Sequence, residues 1–204
     1  MLLETTGGFT DATEALITLI RNLTQDLRVV VANAAKSNGT LLCLAAKSIV
    51  MGAVSELGPI EPLIQGVPCT ILVQPQIAAQ NFPLHKIGEY ALQQTRTLAK
   101  SLLAGGMMAG RQPADIETTV QKLSSRDVYF SHGSAIDHRE AKGLGLSVEY
   151  LPPDDPIWQR IWLLYCMYEH DCRKSRYLKA FEGRARSTAV AAPIPASPAP
   201  AMPS

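Results

Sequence analysis

Residues 29–62, VVVANAAKSNGTLLCLAAKSIVMGAVSELGPIEP, restrict the fold more than any other part of the chain. The stretch opens on Val29, Val30 and Val31, whose branched Cβ atoms favour extended backbone. It bends at Ala35-Lys36-Ser37, where Gly39 gives the backbone room, and residues 40–47 read as a short helix. A second apolar run at 49–51 follows, then the turn-rich Ser55-Glu56-Leu57-Gly58-Pro59. Strand, serine at the bend, helix, strand is a layout that lifts a hydroxyl out of a sheet at the positive end of a helix dipole. Ser37 is therefore a candidate nucleophile, its plain structural alternative being the N-cap of the helix that follows.

The residues before this stretch supply the first half of a βαβ unit. Residues 1–5 form a short apolar start that breaks at Gly7-Gly8. Asp11 and Glu14 have capping-box spacing, and Ala12, Leu16, Leu19, Ile20 and Leu23 recur at helical intervals on one face. Strand, turn, helix, strand implies parallel pairing with a right-handed crossover. Parallel sheets are normally covered on both sides. A first strand with nothing upstream predicts either a chain lacking N-terminal strands or an edge covered by a neighbouring subunit.

Downstream, residues 68–73 read as a strand ending at Gln74-Pro75, and 85–105 as the longest central helix, stopped by Gly105-Gly106. Pro113 stands where a first helical residue belongs, with Ile116, Val120 and Leu123 behind it. Residues 128–130 read as a brief strand. Asp137 and Glu140 repeat the capping-box spacing before a short helix closed by Gly143 and Gly145. Asp155-Pro156 opens a final helix to about Phe181. Its aromatics (Trp158, Trp162, Tyr165, Tyr168, Tyr177) are too many for an exposed helix, so it packs either on its own domain or on a neighbouring subunit. The expected division is an α/β domain at 1–150, this helix at 151–182, and a disordered Ala/Pro/Ser tail at 183–204, which has too few large side chains to offset its ordering entropy.

A net charge of +1 gives no electrostatic case for a nucleic-acid or anionic-membrane partner. No uncharged run is long enough to span a bilayer, and the start lacks the order of a secretion signal. The four cysteines, Cys43, Cys69, Cys166 and Cys172, are scattered without a Cys-x-x-Cys pair, which suits a thiol-tolerant cytoplasmic setting. Cys166 and His170 share a helix face, but two ligands do not make a metal site, and neither a metal nor an organic cofactor is expected.

Four blocks, in order, resemble the Clp-protease/crotonase superfamily and, within it, the serine dehydrogenase proteinase family, relatives of signal peptide peptidase A. They are Thr6-Gly7-Gly8; Ala35-Lys36-Ser37-Asn38-Gly39-Thr40; Ile49-Val50-Met51-Gly52 with Ser55 to Pro62; and Ser131-His132 with Ile136 and Glu140-Ala141-Lys142-Gly143-Leu144-Gly145-Leu146. The resemblance implies a spiral of βαβ units around a mostly parallel sheet, a homo-oligomer, and serine-peptidase chemistry on a polypeptide substrate. By it, Ser37 attacks, His132 is the base, and the glycine turn (Gly7, Gly8) with Asn38 forms the oxyanion hole, the donors being the Gly8 and Asn38 amides. Lys86 is the alternative base, in a Ser/Lys arrangement of the signal-peptide-peptidase kind.

The chain departs from this pattern at three places. The Clp proteolytic subunit carries its catalytic histidine just before a Gln-Pro pair, where this chain has Val73. The acid that should follow His132 is Gly133, leaving Asp137 or Asp127 to substitute. The third departure is the abrupt start. Two alternatives thus accompany the peptidase reading: a catalytically inactive paralogue serving as an assembly or binding module, and crotonase-like acyl-thioester chemistry, which uses the oxyanion amides without Ser37.

Overall fold

The valine run forms the centre of the molecule. In the computed structural model, which describes residues 1–193, β1 (Leu2–Thr5), α1 (Thr10–Leu23) and β2 (Arg28–Ala35) make a first βαβ turn, with β1 and β2 parallel. α2 (Asn38–Leu44) and β3 (Ser48–Met51) make a second, with Val29 opposite Ile49 and Val31 opposite Met51. The sheet runs β1-β2-β3-β7, where β7 is Val148–Tyr150, and a short β4 (Glu56–Leu57) pairs with the end of β2. Every pairing in this sheet is parallel. This is the mostly parallel α/β sheet that the resemblance implies.

β2 is buried on both faces, and the reason lies in its sequence. Val29 and Val31 fill space at one end, while Ala32, Ala34 and Ala35 at the other let neighbouring backbone approach closely. All seven residues of α2 are buried, so the helix after Ser37 is fixed by packing rather than by propensity. Leu41, Leu44, Ile49, Met51, Leu57, Ile60, Leu102, Leu103, Leu123 and Ile136 form the contiguous core. Each contributes about 1.5–3 kcal/mol by leaving water.

Between β4 and β7 the chain makes a small ribbon, β5 (Leu63–Ile64) and β6 (Val67–Pro68), then α3 (Cys69–Leu72), α4 (Pro75–Gln80), α5 (Phe82–Ala104), α6 (Pro113–Leu123) and α7 (His138–Gly143). The expected strand at 68–73 is instead the helical turn α3. Cys69 and Leu72 both point into a small cluster with Leu92 of α5, and that tertiary contact overrides the β-branched run. Residues 128–130 form no strand: Val128 ends a turn over 126–128, closed by the Tyr129 amide donating to the Ser125 carbonyl.

The chain divides into two units, Met1–Trp158 and Gln159–Ser204. In the first, Trp158 is buried against Gly52, where an added Cβ would lie 2.0 Å from the indole. α8 (Pro156–Ser175) ends six residues short of the expected Phe181, because Arg176 takes a left-handed φ of 55°. An antiparallel hairpin follows, β8 (Tyr177–Glu182) and β9 (Ser187–Ala191), in the stretch where a helix end and a disordered tail were expected. Its ladder of backbone hydrogen bonds orders the stretch without requiring a core. The part of the expected tail at 194–204 lies outside the described residues. No helix among the described residues is long and apolar enough to cross a membrane.

Candidate active site

Ser37 sits where β2 turns into α2, at φ 53° and ψ −118°. That region is disfavoured for any residue with a Cβ and costs about 1–3 kcal/mol. The hydroxyl caps nothing: the helix N-terminus has no side-chain cap bond, and Ser37 Oγ has no hydrogen-bond partner among the described residues. The N-cap alternative thus gets the position right and the hydrogen bond wrong. Ser37 is half-buried and faces the glycine turn instead.

Gly7 is the residue it faces. At φ +114° it occupies glycine's own region, and a Cβ there would lie 2.9 Å from Ser37 Cβ and 3.4 Å from Ser37 Oγ. The turn is stitched to the nucleophile bend three times. The Lys36 amide donates to the Thr5 carbonyl at 3.0 Å, Asn38 Nδ2 donates to the Gly8 carbonyl at 2.5 Å, and Gly39 leaves the space that Thr5 Cγ2 fills. Thr40, fully buried, lies 2.8 Å from the Ala35 carbonyl and accepts from the Gly58 amide at 3.1 Å, fixing the bend from below.

The three expected oxyanion residues are therefore brought together, but not equally. The Gly7 amide is occupied, donating to Thr5 Oγ1 at 3.1 Å. The Gly8 and Asn38 amides donate to no described residue, and the face of Gly8 is open. Gly7 supplies clearance beside the serine; Gly8 and Asn38 have amides to offer an oxyanion.

Lys36 turns away from Ser37, as its adjacency requires. Its ammonium pairs with Glu56 at 2.8 Å and donates to the Leu57 and Ser134 carbonyls at 3.3 and 3.1 Å. It thus bolts the nucleophile bend to the loop that carries His132. His132 is half-buried, and its Nδ1 is buried with no partner. Burial holds the imidazole below the usual histidine range; the Glu61 carboxylate opposes this and the Arg126 guanidinium adds to it. No hydrogen bond joins His132 to Ser37.

The description ClpP-like SDH-type serine proteinase matches residues 1–178 of this chain. The chain belongs to that family. It is also 25% identical to an uncharacterised protein of Methanocaldococcus jannaschii, over 85% of this chain and 59% of the relative. The chain thus spans less than two thirds of that relative's length. No solved structure matches.

Against the ClpP-like pattern, the remaining expected residues fall as follows. Lys86 is at the surface, 2.6 Å from Glu89, which raises its pKa through that hydrogen bond and ion pair. That is the wrong direction for a lysine base. His85, which the sequence reading passed over, lies beside Val73, its Nε2 3.1 Å from the Val73 carbonyl. Of the substitute acids, Asp137 is spent as the N-cap of α7, accepting from the Arg139 and Glu140 amides at 2.8 Å each. Glu140 does not complete a capping box; it accepts from Tyr129 Oη at 2.8 Å. Asp127 is exposed. Cys166 and His170 lie on α8, and no group of three metal-ligating side chains stands together among the described residues.

A buried carboxylate that sequence reasoning passed over acts on the His132 ring: Glu61, only 2% exposed. Its Oε1 accepts from the Thr70 amide at 3.2 Å and from the Thr70 hydroxyl, and its Oε2 from Arg126 at 3.3 Å. Its charge, after desolvation, helps push the Cys69 thiol up to about 11, so that thiol is inert at neutral pH. The one sequence signal was its setting: a charge between two prolines in an otherwise apolar segment.

Proposed function

We propose that this chain is a serine peptidase working through an acyl-enzyme on Ser37. What supports the reading is the unpartnered Ser37 hydroxyl, held at a strained bend against Gly7, beside two uncommitted backbone amides. Ser37 Oγ attacks the scissile carbonyl carbon and its proton passes to His132. The carbonyl oxygen becomes an oxyanion facing the Gly8 and Asn38 amides. Collapse breaks the C–N bond, the leaving amine takes the proton from His132, and water then hydrolyses the ester by the same route in reverse. Fixed donors of this kind are worth about 3–4 kcal/mol of barrier each. The substrate is a polypeptide by family membership, and the step needs no cofactor.

For His132 to act as base, the 131–134 loop must close on Ser37. The unmade Ser37–His132 bond is the observation that favours the alternative, a non-catalytic assembly module. Four thiols without a disulfide among the described residues support a cytoplasmic setting. Leu178 and Phe181 on the exposed β8 support self-association, to be checked by sedimentation.

A fluorophosphonate probe tests the central claim. It labels wild type, and Ser37→Ala abolishes labelling while the folded far-UV and near-UV spectra persist. Wild-type protein that is folded and unlabelled sinks the peptidase reading; tight acyl-CoA binding by such protein supports thioester chemistry instead.

A further inference from the structure

We infer that Glu61 is the positioning carboxylate of the His132 imidazole, and that Arg126 competes with the imidazole for it. The inference rests on the peptidase reading for its catalytic meaning, although the pairing itself can be tested without catalysis.

The topology brings the two residues together. Leu57 and Ile136 form an antiparallel bridge, each amide donating to the other's carbonyl at 3.0 Å. From that bridge the chain leads four residues on to Glu61 and four residues back to His132, and the Glu61 charge acts on the imidazole. Arg126 reinforces the arrangement: its Nη2 donates to the Phe130 carbonyl at 2.6 Å, holding the turn that leads into His132.

The chemistry of the cluster is unfinished. Nδ1 of His132 is buried without a partner, a condition that costs free energy unless a bond is made in another state. Glu61 carries the carboxylate whose charge acts on the ring, and its Oε2 is held only by Arg126 at 3.3 Å. Charge-assisted bonds between a guanidinium and a carboxylate are usually about 2.7–2.9 Å, so this contact is loose. Oε1 is firmly taken by Thr70, which fixes the carboxylate and leaves Oε2 as the exchangeable oxygen. The other charges at this loop, Lys36 and Glu56, pair with each other, and the Lys36 ammonium donates to the Gly133 and Ser134 carbonyls rather than to the ring. A base whose Nδ1–H is accepted by a carboxylate is fixed in the tautomer that leaves Nε2 free to take the serine proton.

The test follows the His132 ring by NMR titration in wild type, Glu61→Gln, Glu61→Asp and Arg126→Gln, alongside the fluorophosphonate labelling rate as a function of pH. The inference expects His132 to titrate at lower pH in Glu61→Gln, at higher pH in Arg126→Gln, and near the wild-type position in Glu61→Asp. Labelling slows about tenfold or more in Glu61→Gln and is restored by Glu61→Asp. Should Glu61→Gln fail to fold, the upward move in Arg126→Gln decides. Unmoved titration in the folded variants overturns the pairing, whatever the labelling does. If wild type is never labelled yet the titration moves as stated, the peptidase reading falls and the Glu61–His132 pairing stands.

Discussion

The two sides of the candidate site are built from different materials. The nucleophile side is backbone: the Gly7-Gly8 turn, the Ser37 bend and the first turn of α2, stitched by main-chain and one-atom contacts to buried strands. The base side is made of long side chains, His132, Glu61 and Arg126, reaching from loops and sharing partners. The first is preorganised in the resting molecule. The second holds its groups near one another with one bond unmade. In the proposed mechanism, a site with this asymmetry presents its nucleophile and oxyanion donors ready and waits for its proton acceptor.

Four changes break or sharpen that contrast. The largest effect belongs to Ser37→Gly, which removes the nucleophile and relieves the left-handed strain together. Labelling is lost, and the melting temperature rises by about 2–4 °C for roughly 1 kcal/mol regained. A lower melting temperature would show that the bend is not strained. Gly7→Ala comes next: its Cβ, 2.9 Å from Ser37 Cβ, must displace the turn. The labelling rate should fall about 10²-fold, as for loss of one oxyanion donor, while CD shows the sheet intact. Lys36→Met leaves Glu56 and the Ser134 carbonyl without their Lys36 partner and costs about 2 kcal/mol in urea unfolding, with a smaller loss of labelling than Gly7→Ala. Complete loss would put the ammonium in the chemistry and erase the division drawn above.

The smallest effect is expected at Asp137→Ala, which removes the cap of α7 and costs about 1 kcal/mol. The α7 backbone amides hold the Asp137 carboxyl below its ordinary value. A depressed carboxylate stabilises the fold above its unfolded pKa and loses that contribution as pH falls. The wild-type advantage over Asp137→Ala should therefore begin to shrink as pH falls below about 4 and be lost beneath the lowered native value, with labelling at neutral pH unchanged.

The same contrast explains what the sequence could say. Glycine turns, a serine at a bend and a valine run act through local backbone, so the βαβ core from β1 to β3 and the Ser37–Gly7 juxtaposition were legible from order and spacing. Glu61 and His132 are 71 residues apart in the chain, and nothing local marks one as the other's proposed partner. The turn α3 was misread because four residues cannot distinguish a helix from a strand by periodicity. What decided it was Leu92 on α5, twenty residues beyond Leu72. The β8–β9 hairpin was hidden for another reason: its residues are all exposed, and hydrophobic patterning is silent where there is no core.

The dihedral angles of Ser37 bear on the history of the chain. Glycine would adopt them more comfortably and forfeit no capping bond, so drift in a lineage that had stopped cutting peptides would tend to erase the hydroxyl. On the proposed reading, the strained backbone is the cost of aiming that hydroxyl at the glycine turn.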